Sequence, residues 1–152
     1  KPDPRFGSPL ASKVINQIMQ DGKKSTAQTL LYKALDVALT KLTDVEGESN
    51  EEKQVVILTK AVENAKPNVE VRSKRVGGAN YQVPREVKKA RQQSLAIRWL
   101  VDNSRKKKGK PMHLRLSEEI VDAYNGTGAS VTWKENIHKM AEANKAYAHF
   151  AR

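Results

Sequence analysis

The sequence predicts a mainly α-helical fold, a six-helix bundle with one β-hairpin inserted between the third and fourth helices. Three observations carry that expectation. Apolar residues recur at three- and four-residue spacing through most of the 152 residues. Serine and proline starts and glycine or proline stops divide the pattern into segments. The apolar period drops to two only in the stretch around "VRSKRVGGANYQVP", residues 71–84. The length suits one domain over residues 1–152, with the hairpin an extension at about 69–84.

The first helix starts at Ser8-Pro9, an N-cap followed by a first-turn proline, carries Leu10, Val14, Ile15, Ile18 and Met19, and stops at Gly22. Ser25 with Gln28 forms a capping box for the second, whose inner face is Ala27, Leu31, Leu35, Ala38 and Leu42. "TDVEGESNEE" (43–52) holds five acids and no base, and reads as a solvated loop. Ser49 with Glu52 opens the third helix, with Val55, Leu58, Val62 and Ala65 inward and an end before Pro67.

In the hairpin, a two-residue Gly77-Gly78 loop would pair Arg72 with Val83 and set a valine opposite a cation. A three-residue loop, Val76-Gly77-Gly78, pairs Val71 with Val83 and Ser73 with Tyr81, keeps the apolar residues on one face, and needs a left-handed residue only at Gly78. The three-residue loop is the expected one, with the valines and Tyr81 inward and Arg72, Lys74 and the tip outward. Pro84 opens the fourth helix, with Val87, Ala90, Ser94, Ile97 and Val101 inward, which runs into the basic linker "RKKKGKP" (105–111). The fifth helix carries Met112, Leu116, Ile120 and Ala123/Tyr124 and ends at "NGTG". Thr132 with Glu135 caps the sixth, with Trp133, Ile137, Met140, Ala141, Asn144 and Tyr147/Ala148 inward.

Charge narrows the function. Lys+Arg 28 against Asp+Glu 17 leaves +11, which favours a polyanionic partner, nucleic acid ahead of a membrane surface or an acidic protein. The absence of cysteine excludes disulfides, thiolate zinc sites and thiol catalysis, and suits a reducing cytoplasm. No apolar run approaches the roughly 20 residues of a membrane span, and the N-terminus shows no signal-peptide pattern. "QDGKKS" (20–25) lacks the first glycine of a phosphate-binding loop and has Lys24 at the Ser/Thr position; "NGTGAS" (125–130) has Val131 in place of a third glycine. His113, His138 and His149 lack metal-ligand spacing. No catalytic residue, metal or cofactor is expected.

The cations are segregated. Arg72, Lys74, Arg75, Arg85, Lys88, Lys89 and Arg91 face only Glu70 and Glu86 between residues 69 and 91, while Arg105, Lys106, Lys107, Lys108, Lys110 and Arg115 meet no acid between 103 and 117. Arg91, Arg98 and Arg105 recur every seven residues on one helix face, with about 20° of drift per step. Such a row meets repeating phosphates, each contact releasing counterions, and arginine adds bidentate binding and base stacking. Singly, each feature has a plainer account: a solvated helix face, a polar linker, or cations guarding an edge strand. Together, in one half of a basic chain, they favour nucleic acid. Trp99 and Trp133 read as core or half-buried packing, and Tyr81 as either a stacking residue or a partner of Val71, so the chain reads backbone and shape. Two alternatives stand: an architectural DNA-binding protein inserting the hairpin into a minor groove, disfavoured because no wedge occupies the tip, and a basic RNA-modifying enzyme, for which no cofactor pocket is evident.

"LASKVINQIMQDGKKSTAQTLLYKAL" (10–35), "KPNVEVRSKRVGGANYQVPREV" (66–87), "LAIRWLV" (95–101) and "HKMAEANKAYAHF" (138–150) together resemble the bacterial-type family of the seventh small-subunit ribosomal protein. The resemblance implies a helical fold with one hairpin that binds the head domain of small-subunit ribosomal RNA directly and nucleates its assembly. It implies a cytoplasmic place in the ribosome beside other head proteins, near the exit-site tRNA and the mRNA exit channel, with neither a membrane nor a homo-oligomer. The RNA contacts it implies fall on Arg72, Lys74, Arg75 and Arg91, on Lys23 and Lys24 of the "DGKK" corner and, by charge, on Arg98, Arg105, Lys106, Lys107, Lys108, Lys110 and Lys139. Gly77, Gly78, Ala79, Asn80, Tyr81 and Gln82 at the tip, and Lys145 in the last segment, would lie toward tRNA and mRNA. Many bacterial members also repress their own messenger. The family's basic N-terminal arm would precede Lys1, the acidic stretch 43–52 is longer than usual, and "AHFAR" replaces an aromatic-rich end.

Overall fold

Ser8 starts the first helix as expected: its Oγ accepts the Ala11 N–H at 3.2 Å, and Pro9 occupies the first turn, where its missing N–H costs nothing. The computed structural model describes residues 2–151 and orders the chain as α1 (Pro9–Ile18), α2 (Lys24–Lys41), α3 (Asn50–Ala65), β1 (Val69–Val76), β2 (Ala79–Glu86), α4 (Lys89–Lys106), α5 (Met112–Tyr124), α6 (Ala129–Ala143) and a terminal 3-10 segment (Lys145–Ala151). The fold is therefore mainly helical with one antiparallel hairpin between α3 and α4, as predicted, and the 3-10 segment extends beyond the sixth helix.

α5 occupies the centre, packed against α2, α3 and α4. Ile15, Leu31, Leu35, Ile57, Leu58, Val62, Leu116 and Ile120 are essentially sealed from water between these helices. At roughly 1.5–3 kcal/mol for each fully buried side chain of this kind, they are a main source of stability. Ser49 caps α3, its Oγ accepting the Glu52 N–H at 3.1 Å; the Glu52 carboxylate reaches back to the Glu48 N–H at 2.9 Å, so the expected box closes one residue further out. Before α1, the buried Asp3 carboxylate accepts the Phe6 N–H at 2.9 Å and the Tyr32 hydroxyl at 2.5 Å. Burial, then the bond to Asp3, pushes the Tyr32 hydroxyl up to about 12.

Several local expectations fail for identifiable reasons. α1 ends at Ile18 rather than at Gly22, because Asp21 (φ 55°) and Gly22 (φ 72°) both turn left-handed to reverse the chain. That turn feeds α2 from Lys23, so Ser25 already lies inside the helix and caps nothing. α4 begins at Lys89, not Pro84; Ala90 and Ser94 face solvent, and Leu95, Ala96, Ile97, Leu100 and Val101 face the core. α6 starts at Ala129, ahead of the proposed Thr132 box. Its entry is set by the fully buried Glu119 of α5, whose carboxylate accepts the Ser130 N–H at 3.1 Å. Gly128 precedes it at φ 91°, where a Cβ would stand 2.7 Å from the Asp122 Cβ. The buried side chains of α6 are then the small Ser130, Val131 and Ala141, while Trp133 and Met140, expected inward, are each 49% exposed.

The hairpin takes the two-residue loop. Val76 pairs with Ala79, Lys74 with Tyr81, Arg72 with Val83 and Val71 with Pro84. Gly77 (φ 58°) and Gly78 (φ 84°) both adopt left-handed backbone, the type I′ turn whose twist matches that of the strands, and this outweighs the apolar matching that favoured three residues. Arg72 and Lys74 consequently share a face with Tyr81 and Val83 instead of opposing it. Pro84 lies within β2, tolerated because a two-stranded sheet leaves every strand with a free edge.

Candidate nucleic-acid interface

The foot of the hairpin is organised by an acid. Glu70 is buried, and three arginines converge on it. Arg91 of α4 donates from Nε at 2.7 Å and Nη2 at 3.3 Å, Arg72 from Nε at 3.2 Å, and the Arg85 Nε stands at 3.9 Å. Burial alone would raise the Glu70 carboxyl. The hydrogen bonds from Arg91 and Arg72, with the charges of Arg91 and Arg85, outweigh it and hold the pKa below the ordinary 4.5. The same bond raises the pKa of Arg91. Arg72, Arg85 and Arg91 keep 52%, 40% and 42% of their side chains exposed. Glu70 thus fixes the inner edges of the Arg91 and Arg72 guanidiniums by hydrogen bonds, attracts Arg85 by charge, and leaves their outer edges to solvent or a ligand.

A second brace comes from the end of the chain. Tyr81 packs its ring on Tyr147 (centroids 4.9 Å) and Phe150 (5.3 Å), and the Lys74 ammonium donates to the Phe150 carbonyl. The packing expected between Tyr81 and Val71 is replaced: the ring's partners are these two aromatics. At the hairpin's start the Asn68 N–H donates to the His138 Nε2 at 3.3 Å, tying β1 to α6. Arg75 and the tip residues Gly77, Gly78, Ala79, Asn80 and Gln82 are exposed.

Along α4 the seven-residue row separates by environment. Arg98 is exposed, but Arg105 turns back, donating from Nη2 to the Ile18 carbonyl at 2.9 Å, with Asp102 at 3.8 Å. It satisfies the C-terminal end of α1 and draws the α4 end toward the turn bearing Lys23 and Lys24, both exposed.

The family described as ribosomal protein S7p/S5e matches residues 1–145. The chain belongs to that family. Small ribosomal subunit protein uS7 of Fervidobacterium nodosum is 51% identical over 98% of this chain and 91% of its own length. The protein of the same name from Shewanella sediminis is 52% identical over 98% and 90%, and that of Chloroflexus aggregans 50% over 99% and 91%. The family consists of structural ribosomal proteins, not enzymes. Among the described residues there is no group of three or more His, Cys, Asp or Glu able to hold a metal, and no helix long and apolar enough to cross a membrane.

In this ribosomal protein the basic linker is partly built into the fold. Lys107 lies 3.6 Å from both Glu118 and Glu119, Lys110 pairs with Glu118, and Arg115 donates to the Lys107 carbonyl at 2.7 Å and the Arg105 carbonyl at 3.1 Å, closing the end of α4. Lys106 and Lys108 are exposed, as is Lys139 on α6; Lys145 pairs with Glu142 at 3.0 Å. Two features were missed from sequence: Glu70 as the centre of the arginine cluster, and the pairing of Trp99 with Trp133 at 6.4 Å across α4 and α6. The first had a signal, one of only two acids among seven cations; the second had none, since the two rings lie far apart in sequence.

Proposed function

We propose that the chain is a structural component of the small ribosomal subunit that binds its ribosomal RNA directly, nucleates assembly of the head domain beside other head proteins, and lies near the exit-site tRNA and the mRNA exit channel. Family membership supports the ribosomal part of this reading. The observation that carries the RNA contact is the set of half-exposed arginines held by Glu70 at the foot of a hairpin whose outer arm bears Arg75. A phosphate backbone meets preformed donors there at little further cost in side-chain order. Lys23, Lys24, Arg98, Lys106, Lys108 and Lys139 extend the surface, whereas Arg105, Lys107 and Lys110 contribute with one edge already engaged within the protein. The tip, Gly77 to Gln82, together with Lys145, forms the side nearest tRNA and mRNA. Translation in the cytoplasm is the setting.

The test is equilibrium binding of a head-domain RNA fragment across a salt series. Affinity falls steeply with salt, and Arg75→Ala weakens binding about fivefold, roughly 1 kcal/mol, while lowering the salt slope by about one. An unchanged affinity and slope in a hairpin with Arg72, Lys74 and Arg75 all replaced by Glu would remove the hairpin from the interface.

A further inference from the structure

Trp133 is the largest side chain that the fold leaves half in water, and it does not stand alone. It borders a cleft of about 190 Å³ between α4 and α6, lined by Arg98, Trp99, Asp102, Asn103, Lys106 and Trp133. The two indoles are tilted 60° to each other with centroids 6.4 Å apart, so they meet obliquely and do not cover one another. The Lys106 ammonium lies 5.8 Å from the Trp133 centroid, at the outer limit of cation–π attraction. The Arg98 side chain is exposed beside them, and the one acid of the lining, Asp102, already faces Arg105 at 3.8 Å.

We propose that this cleft is a stacking slot for an unpaired nucleobase of a single-stranded RNA segment, with Arg98 and Lys106 taking the phosphates that flank it. The inference rests on the RNA-binding reading above and adds a recognition mode to it. A flat aromatic face half open to water offers the contact that every base shares, and the neighbouring cations supply the complement to the backbone on which that base is carried. A duplex cannot use the slot, because its base faces are already stacked. An acidic protein segment would satisfy Arg98 and Lys106 but would leave the indole faces without a planar partner. The inference also changes the expectation that the chain reads only backbone and shape.

The chain has two tryptophans, and both line this cleft, so its intrinsic emission reports on the slot directly. The full chain is titrated with a single-stranded oligouridylate and with a duplex RNA of equal length, following tryptophan emission and, separately, the anisotropy of labelled RNA. Both RNAs bind with salt-dependent affinity, but only the single strand quenches the emission. Trp133→Ala weakens the single strand about tenfold and leaves the duplex within about twofold, the ratio expected for loss of one stacked base. Trp133→Phe restores most of the loss. Because Trp133 is a surface residue, circular dichroism of both variants should match the parent. Single-strand binding without quenching, or equal loss for both RNAs, overturns the slot while leaving the RNA-binding reading intact. Displacement of the oligouridylate from the slot by polyglutamate at equal charge overturns base recognition in favour of an acidic protein partner. Binding of neither RNA overturns both readings.

Discussion

Replacing Glu70 by Gln preserves the volume at the foot of the hairpin and removes the charge that gathers three arginines. Three hydrogen bonds are at stake, at 2.7, 3.3 and 3.2 Å from Arg91 Nε, Arg91 Nη2 and Arg72 Nε. A shielded bond to a charged group is worth about 1.5–3 kcal/mol, an exposed ion pair about 0.2–1 kcal/mol. Glu70 is 11% exposed at its side chain, but Arg72, Arg85 and Arg91 are 52%, 40% and 42% exposed, so water recovers much of what the arginines lose. Glutamine also keeps one acceptor oxygen. The expected loss is therefore about 1–2 kcal/mol, a fall in Tm of roughly 3–6 °C for a chain of this size. The pH dependence provides an internal control. The carboxyl is held below 4.5 in the folded protein, so its contribution is fully present above that value and is lost as the pH falls through the lower folded-state pKa. Thermal unfolding of parent and variant followed by circular dichroism should show the full difference at neutral pH and a closing difference below about pH 4. A difference that is absent at neutral pH, or that persists undiminished in acid, would refute the assignment of the stabilisation to the ionised carboxylate.

Arg105→Ala leaves the Ile18 carbonyl without its 2.9 Å donor and should cost about 1 kcal/mol, read as a shift in urea midpoint with an unchanged m-value. Gly128→Ala places a Cβ 2.7 Å from the Asp122 Cβ at φ 91°, and about 1–3 kcal/mol of destabilisation is expected; a neutral result in the same denaturation would mean that α6 starts differently. His138 accepts the Asn68 N–H at Nε2, and burial, then Lys134, holds its pKa below 6.5 against the opposing pull of Glu135. A lowered pKa means stability present above about 6.5 and lost as the pH falls through the folded value. The ring should titrate by NMR with a midpoint below 6.5, and His138→Gln should flatten the stability profile between about pH 7 and 5; a midpoint at or above 6.5 refutes the contact.

What the sequence made legible was local. Ser8-Pro9 and Ser49-Glu52 write their helix starts into neighbouring residues, and the drop to a period of two marked the hairpin. The hairpin register was not local in that sense. Alternation alone favoured gathering Val71, Val83 and Tyr81 on one face, but the left-handed geometry of Gly77 and Gly78 fixed the loop, and Tyr147 and Phe150, more than sixty residues away, received Tyr81. α6 failed for a related reason: Trp133, Ile137 and Met140 fall on one stripe, and periodicity cannot say whether a stripe faces the core or the solvent. Glu119 on another helix sets where α6 starts, and the side chains it buries are small ones.

The cations follow the same logic, and it bears on how a basic surface works. Each was visible in the sequence, but its availability depends on acids and carbonyls contributed from elsewhere: Glu70 for Arg91, Glu118 and Glu119 for Lys107, the end of α1 for Arg105. In a chain whose net charge is +11, an acid within the cationic surface weakens attraction to a polyanion, yet Glu70 stands in the middle of it. The arginine side chain carries about 2 kcal/mol of rotamer entropy that binding must otherwise consume. The two arginines hydrogen-bonded to one carboxylate, Arg91 and Arg72, have already lost part of that freedom on folding, and their remaining N–H groups face outward in fixed directions. One negative charge costs some long-range attraction and returns several oriented donors at short range. That exchange favours a ligand with phosphates at set spacings over one that is merely negative.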